Sequence, residues 1–141
     1  MPDLRDKIYE ILRRPQLGGL ATITPDGKPW VRYVTTVAGP DLTIRCATFI
    51  NARKVKQIER NPEVHLTCGI TDPKKMTPYL QIQGRAKLNT SREARHGFWT
   101  DMLSPIFSGP DDPNYAVLEI EPYYIEYVAP GSLEPEVWKA E

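Results

Sequence analysis

Ala47-Thr48-Phe49-Ile50-Asn51-Ala52-Arg53-Lys54-Val55-Lys56-Gln57-Ile58-Glu59-Arg60-Asn61-Pro62-Glu63-Val64 reads as the end of a strand, a short helix and the start of another strand. Asn51 is placed to cap the helix, and Val55 and Ile58 stand three apart on its apolar side. Asn61-Pro62 stops it, because proline disfavours helical backbone in the residue before it, and a strand is expected over Val64 to Ile70. Upstream, Leu42, Ile44, Cys46 and Thr48 alternate with Thr43, Arg45 and Ala47, the period of two that puts each set on one face of a strand.

The same period continues outward. Leu20 to Thr24, the turn Pro25-Asp26-Gly27-Lys28-Pro29 and Trp30 to Val37 read as a hairpin. Before it, Leu4, Ile8, Ile11 and Leu12 form an amphipathic helix over residues 3–14, with Asp3 as its cap and Pro15 and Gly18-Gly19 as its end. Further on, residues 79–88 are strand-like, and Thr90 with Glu93 has the spacing of a capping box. That box opens a helix with Ala94, Phe98 and Met102 on one face, closed by Ser104-Pro105. Two last strands, Val117 to Glu121 and Tyr123 to Val128, are expected on either side of Pro122. Short strands that follow one another, with three short helices between them, predict a mainly-β fold with peripheral helices, an antiparallel barrel of six or seven strands rather than βαβ winding.

A chain of 141 residues fits one domain, expected over 1–141. Its 18 basic and 18 acidic side chains cancel, so no overall field attracts nucleic acid or an anionic membrane, and an anion must be met by a local cluster. The opening Met1-Pro2-Asp3-Leu4-Arg5-Asp6 lacks the apolar core of a secretory signal, and no stretch is long enough to span a bilayer. Cys46 and Cys68 lie far apart without metal-type spacing and read as buried thiols of a reducing compartment rather than a disulfide, which predicts a cytoplasmic protein.

Arg53, Lys54 and Lys56 stand in the first turns of the second helix, where cations oppose the partial positive charge of the helix end. Free backbone N–H groups, Asn51, Thr48 and two cationic heads would together make a phosphate site, with Arg32 on a neighbouring strand as a third cation. By charge alone the run reads equally well as a solvated helix face. No catalytic acid, base or nucleophile and no metal ligand set stands out: His65 and His96 are isolated, and Asp111 and Asp112 belong to a Gly-Pro turn.

Pro29-Trp30-Val31-Arg32-Tyr33-Val34, Leu42-Thr43-Ile44 and then Ala47 through Val64 resemble the FMN-binding core of the pyridoxamine 5'-phosphate oxidase-like superfamily, most specifically in the succession Arg-Lys, Gln-Ile, Asn-Pro. Gln83-Gly84-Arg85-Ala86 resembles its next strand. Trp99, Phe107 to Pro113 and Leu118-Glu119-Ile120-Glu121-Pro122 are similar to its general stress protein branch. The resemblance implies a split β-barrel of the FMN-binding type, with FMN as cofactor. It implies that Arg32, Tyr33, Val34 and Thr35 line the flavin, that Ala47 and Thr48 border the ribityl phosphate, and that Arg53 and Lys54 bind the phosphate. It further implies a homodimer with the cofactor at the subunit interface, where Trp99 reaches the partner's flavin. Chemistry would then be the flavin's, in an FMN-dependent oxidoreductase acting on a small molecule. The alternatives are a protein that binds FMN without turnover and a reductase using the deazaflavin coenzyme. Val37 and Tyr79 replace a Lys and a Gln of the oxidase, and Gly131 to Glu141 lacks its Arg-containing tail, so oxidation of pyridoxamine phosphate itself is not expected.

Overall fold

Asp3 caps the first helix as its position predicts: its carboxylate accepts from the backbone N–H of Asp6 at 2.9 Å, and α1 runs Leu4–Leu12. The structure, a computed structural model, describes residues 2–141, so Met1, the first residue of the expected domain, lies outside the described residues. Strand β1 (Gln16–Ile23) begins earlier than the sequence suggests and contains the Gly18-Gly19 pair. The pair does not end the helix; it lets strands approach, since a Cβ on Gly18 would meet the Leu66 side chain at 3.0 Å and the Thr67 carbonyl at 3.1 Å.

β1 and β2 (Pro29–Ala38) form the expected hairpin, in register from Ile23 opposite Pro29 to Gln16 opposite Thr36. β3 (Ile44–Phe49) starts two residues later than predicted because Leu42 takes a left-handed backbone, φ 67°, to enter the core from the turn. Leu42, Ile44, Cys46 and Thr48 are nonetheless all buried on one side. Helix α2 (Arg53–Arg60) and strands β4 (Glu63–Cys68) and β5 (Tyr79–Asn89) follow.

Helix α3 (Arg92–Phe98) is capped by Ser91 rather than Thr90, with the hydroxyl accepting from Ala94 N–H at 3.1 Å. It stops where Trp99 turns extended, so Met102 sits in a separate 3-10 turn, Asp101–Leu103, and is exposed instead of sharing a face with Phe98. The two predicted last strands are one, β6 (Tyr115–Val128), which continues through Pro122 because that residue lies opposite Gly84 at a β-bulge. A Cβ on Gly84 would come within 2.9 Å of the Glu121 carbonyl. A short strand not foreseen, β7 (Glu136–Lys139), adds to β6 and is tied to α1 by Lys7 and Glu136 at 2.7 Å.

The sheet runs β3-β2-β1-β4-β5-β6-β7, and pairing of β3 with β6 closes six of the seven strands into an antiparallel barrel. Its core gathers Leu20, Ile44, Leu66, Ile82, Leu118 and Ile125, plugged by Ile8 and Leu12 from α1 and Ile58 from α2. Each such buried side chain contributes about 1.5–3 kcal/mol. A second cluster of Phe107, Tyr115 and Val117 lies outside the barrel under Phe98, Trp99 and Leu103. Among the described residues no helix is long and apolar enough to cross a membrane.

Candidate functional site

β2 sets two environments by alternation. Val34, Thr36 and Ala38 are buried, whereas Val31 and Tyr33 are 65% and 81% exposed, so Arg32 lies on the inward side. Its Nη1 donates to Thr22 Oγ1 at 2.7 Å, Trp30 O at 3.0 Å and Leu20 O at 3.2 Å, and its Nη2 donates to Gln57 Oε1 at 3.3 Å. The Thr22 hydroxyl in turn donates to Gln57 Oε1 at 2.5 Å. Between β2 and β3 the ladder is made only at Val37–Arg45 and Ala38–Ile44 among the described residues, after which the strands part. Tyr33, Val34 and Thr35 therefore keep one backbone edge without a strand beside it, which is the split in this barrel.

Asn51 is not the cap of α2. Ile50 N–H bonds to Asn114 O at 2.9 Å and Ala52 N–H to Phe49 O at 3.1 Å, a turn that makes Ala52 the capping residue, with no side chain to offer. The N–H groups of Arg53 and Lys54 have no partner among the described residues. Neither side chain forms an ion pair among them, and nor does Arg32. Burial, then the charge of Arg53, holds the Arg32 guanidinium below its ordinary value. Burial likewise pushes the Lys54 ammonium down, with Arg32 adding to this against an upward pull from Cys46. Three cations thus sit in one another's field at a bare helix end, a geometry in which a bound anion relieves both the repulsion and the open N–H groups.

The other expected residues are spread around this cluster. Thr48 is buried, its hydroxyl donating to Phe49 O at 3.2 Å. Val34 turns its side chain into the core, leaving its backbone for any ligand. Ala47 faces the opposite way, against the outer cluster where Trp99 packs edge-on to Tyr115 with centroids 5.6 Å apart. An open groove of about 550 Å³ beside Arg32 is walled by Leu17, Val31, Tyr33, Ile70 and Tyr79.

A second groove, of about 610 Å³, lies between the end of β2 and α3. Its floor was not foreseen: Glu119, 8% exposed, accepts from Arg45 Nε at 2.9 Å and from Asn89 Nδ2 at 3.0 Å. The available signal was a lone Glu in the apolar run Ala116-Val117-Leu118-Glu119-Ile120. His96 is not isolated either, since its Nε2 lies 2.6 Å from Asp111 Oδ1. Asp112 serves its turn, accepting from Ser108 and Asn114 N–H. Cys46 and Cys68 are free and buried, and burial pushes their thiols up to about 11 and about 12, which keeps both protonated near neutral pH. Among the described residues no three His, Cys, Asp or Glu side chains gather closely enough to hold a metal ion.

Known proteins share this architecture. A family model described as pyridoxamine 5'-phosphate oxidase matches residues 4–129. Over 133 residues, 94% of each protein, the chain is 36% identical to general stress protein 26 of Bacillus subtilis. The crystal structure of general stress protein 26 from Bacillus anthracis superposes with a TM-score of 0.84 at 28% identity, covering 97% of this chain and 98% of that one. That of a pyridoxamine 5'-phosphate oxidase-related, FMN binding protein from Nostoc punctiforme gives 0.68 at 18% identity, covering 98% and 90%, a likeness of fold.

Proposed function

Because the chain belongs to the pyridoxamine 5'-phosphate oxidase family, we propose that it is an FMN-binding flavoprotein that works as an FMN-dependent oxidoreductase on a small molecule. The observation that carries this reading is the group of Arg32, Arg53 and Lys54 at the uncapped start of α2, with no carboxylate paired to any of them among the described residues. Such a set fits the terminal phosphate of FMN. The two open N–H groups and the Arg53 fork would grip its oxygens, while Lys54 and Arg32 offset its double charge. Tyr33, Val34 and Thr35 would offer their free backbone edge to the polar rim of the ring, with Ala47 and Thr48 bordering the chain between ring and phosphate.

Bound there, FMN supplies a ring that takes an electron pair from a donor and passes it to an acceptor. The protein's part is to hold that ring, shield one side of it and present hydrogen-bond donors at fixed positions. No protein acid or base is required of it. The proposal includes a homodimer with the cofactor at the subunit interface, supported by the exposed apolar side chains of Leu17, Val31 and Tyr33 next to Arg32. In this reading Trp99, which packs in the cluster that also holds Ala47, would reach the flavin bound across the subunit interface. A cytoplasmic setting is supported by the two free thiols.

Anaerobic mixing of the FMN-loaded protein with NADH or NADPH, followed by an added acceptor, tests the oxidoreductase claim. The expected result is bleaching of the flavin band and its return over repeated cycles. A flavin that neither donor reduces would leave a binding protein without turnover. A bound ligand whose mass is that of a deazaflavin would replace FMN.

A further inference from the structure

Gln57 stands one helical turn after Arg53 on α2, and (i, i+4) neighbours share a helix face, so it sits directly beneath the cation cluster. Its side-chain carbonyl is the meeting point of two donors, the Thr22 hydroxyl at 2.5 Å and Arg32 Nη2 at 3.3 Å, while Arg32 Nη1 closes the ring onto Thr22 at 2.7 Å. Thr22 is fully buried in the barrel, which anchors the ring in the core.

The chemistry of the acceptors is the informative part. All four oxygens around Arg32 are neutral: one hydroxyl, one amide and two backbone carbonyls. A half-buried guanidinium is ordinarily matched by a carboxylate, and Glu in place of Gln57 would supply one in the same shape. An amide fixes the direction of the guanidinium without cancelling its charge. We propose that Gln57 is a positioning residue whose neutral carbonyl aims Arg32 into the anion site while keeping its charge available to a dianionic phosphate. The inference rests on the phosphate reading of the site given above.

The test compares the wild type with Gln57→Glu and Gln57→Met by thermal unfolding and by titration with FMN, riboflavin and inorganic phosphate. Gln57→Glu pairs with Arg32, so its melting temperature is expected to equal or exceed that of the wild type while FMN affinity falls about tenfold or more. Riboflavin, which lacks the phosphate, loses nothing. Gln57→Met keeps the charge but frees the guanidinium, so it melts lower yet binds FMN better than Gln57→Glu. A purely structural Gln57 would give the opposite order, with affinity following melting temperature, and would overturn the proposal. Gln57→Glu binding FMN as tightly as the wild type would also overturn it and leave the FMN reading standing. Should the wild type bind phosphate but not FMN, loss of phosphate binding in Gln57→Glu upholds the positioning role while the FMN reading falls. A wild type that binds neither refutes both.

Discussion

Thr36 is 1% exposed, and its hydroxyl has no hydrogen-bond partner among the described residues. A buried hydroxyl left unpaired costs about 1–3 kcal/mol in lost hydration, and valine has nearly its shape. Thr36→Val is therefore expected to stabilise the fold by roughly 1 kcal/mol, read as a higher urea midpoint at unchanged slope. A lower midpoint would mean that the hydroxyl is bonded. At this scale, Arg53 and Lys54 were legible because their charge opposes the helix end on which their sequence position puts them. Glu119 and Arg45 were not, since their pairing joins residues 74 apart in sequence. His96 and Asp111, brought together by the fold of the loop after α3, were equally hidden.

Among elements, α1 could be read to its cap, because Asp3 immediately precedes a clear apolar stripe. The cap of α2 could not: the bond from Ile50 N–H to Asn114 O sets the turn that makes Ala52 the capping residue, and Asn114 is remote in sequence. Pro122 suggested a break in β6 because only the bulge at Tyr123, where β6 has one residue more than the facing Gln83-Gly84 of β5, reveals how the strand carries it. β7 gave no alternation to read, with three of its four residues exposed. The outward face of β1 and β2 carries its own expectation. Leu17 is 60% exposed and lies with Val31 and Tyr33 beside Arg32, an apolar surface that the proposed second copy would cover. Sedimentation of the FMN-loaded protein should show a dimer, and Tyr33→Glu should shift most of it to monomer by desolvating a charge in the interface. A monomeric wild type would refute the proposed dimer.

For the molecule as a whole, antiparallel order was legible because most neighbours in sequence are neighbours in the sheet, whereas the total of seven strands matches only because β6, read as two, and the unforeseen β7 offset each other. Closure through β3 and β6 joins segments that no local pattern links. The same closure carries β3 toward α2 and parts it from β2, assembling the cation cluster and the open backbone edge together. The second groove draws on Val37, Arg45, Asn89, Gly97 and Glu119, scattered over the chain, which is why no one motif announced it.

The cations at the start of α2 are proposed to hold the phosphate of FMN. Titration of the wild type and of the Arg53→Ala, Lys54→Ala double variant with FMN, followed by flavin absorbance and fluorescence, decides it. A tight flavin complex is expected in the wild type, and affinity weaker by about 3 kcal/mol, on the order of a hundredfold, in a double variant that unfolds as cooperatively as the wild type. Equal affinity in the two proteins, or no flavin bound by the wild type, would contradict it.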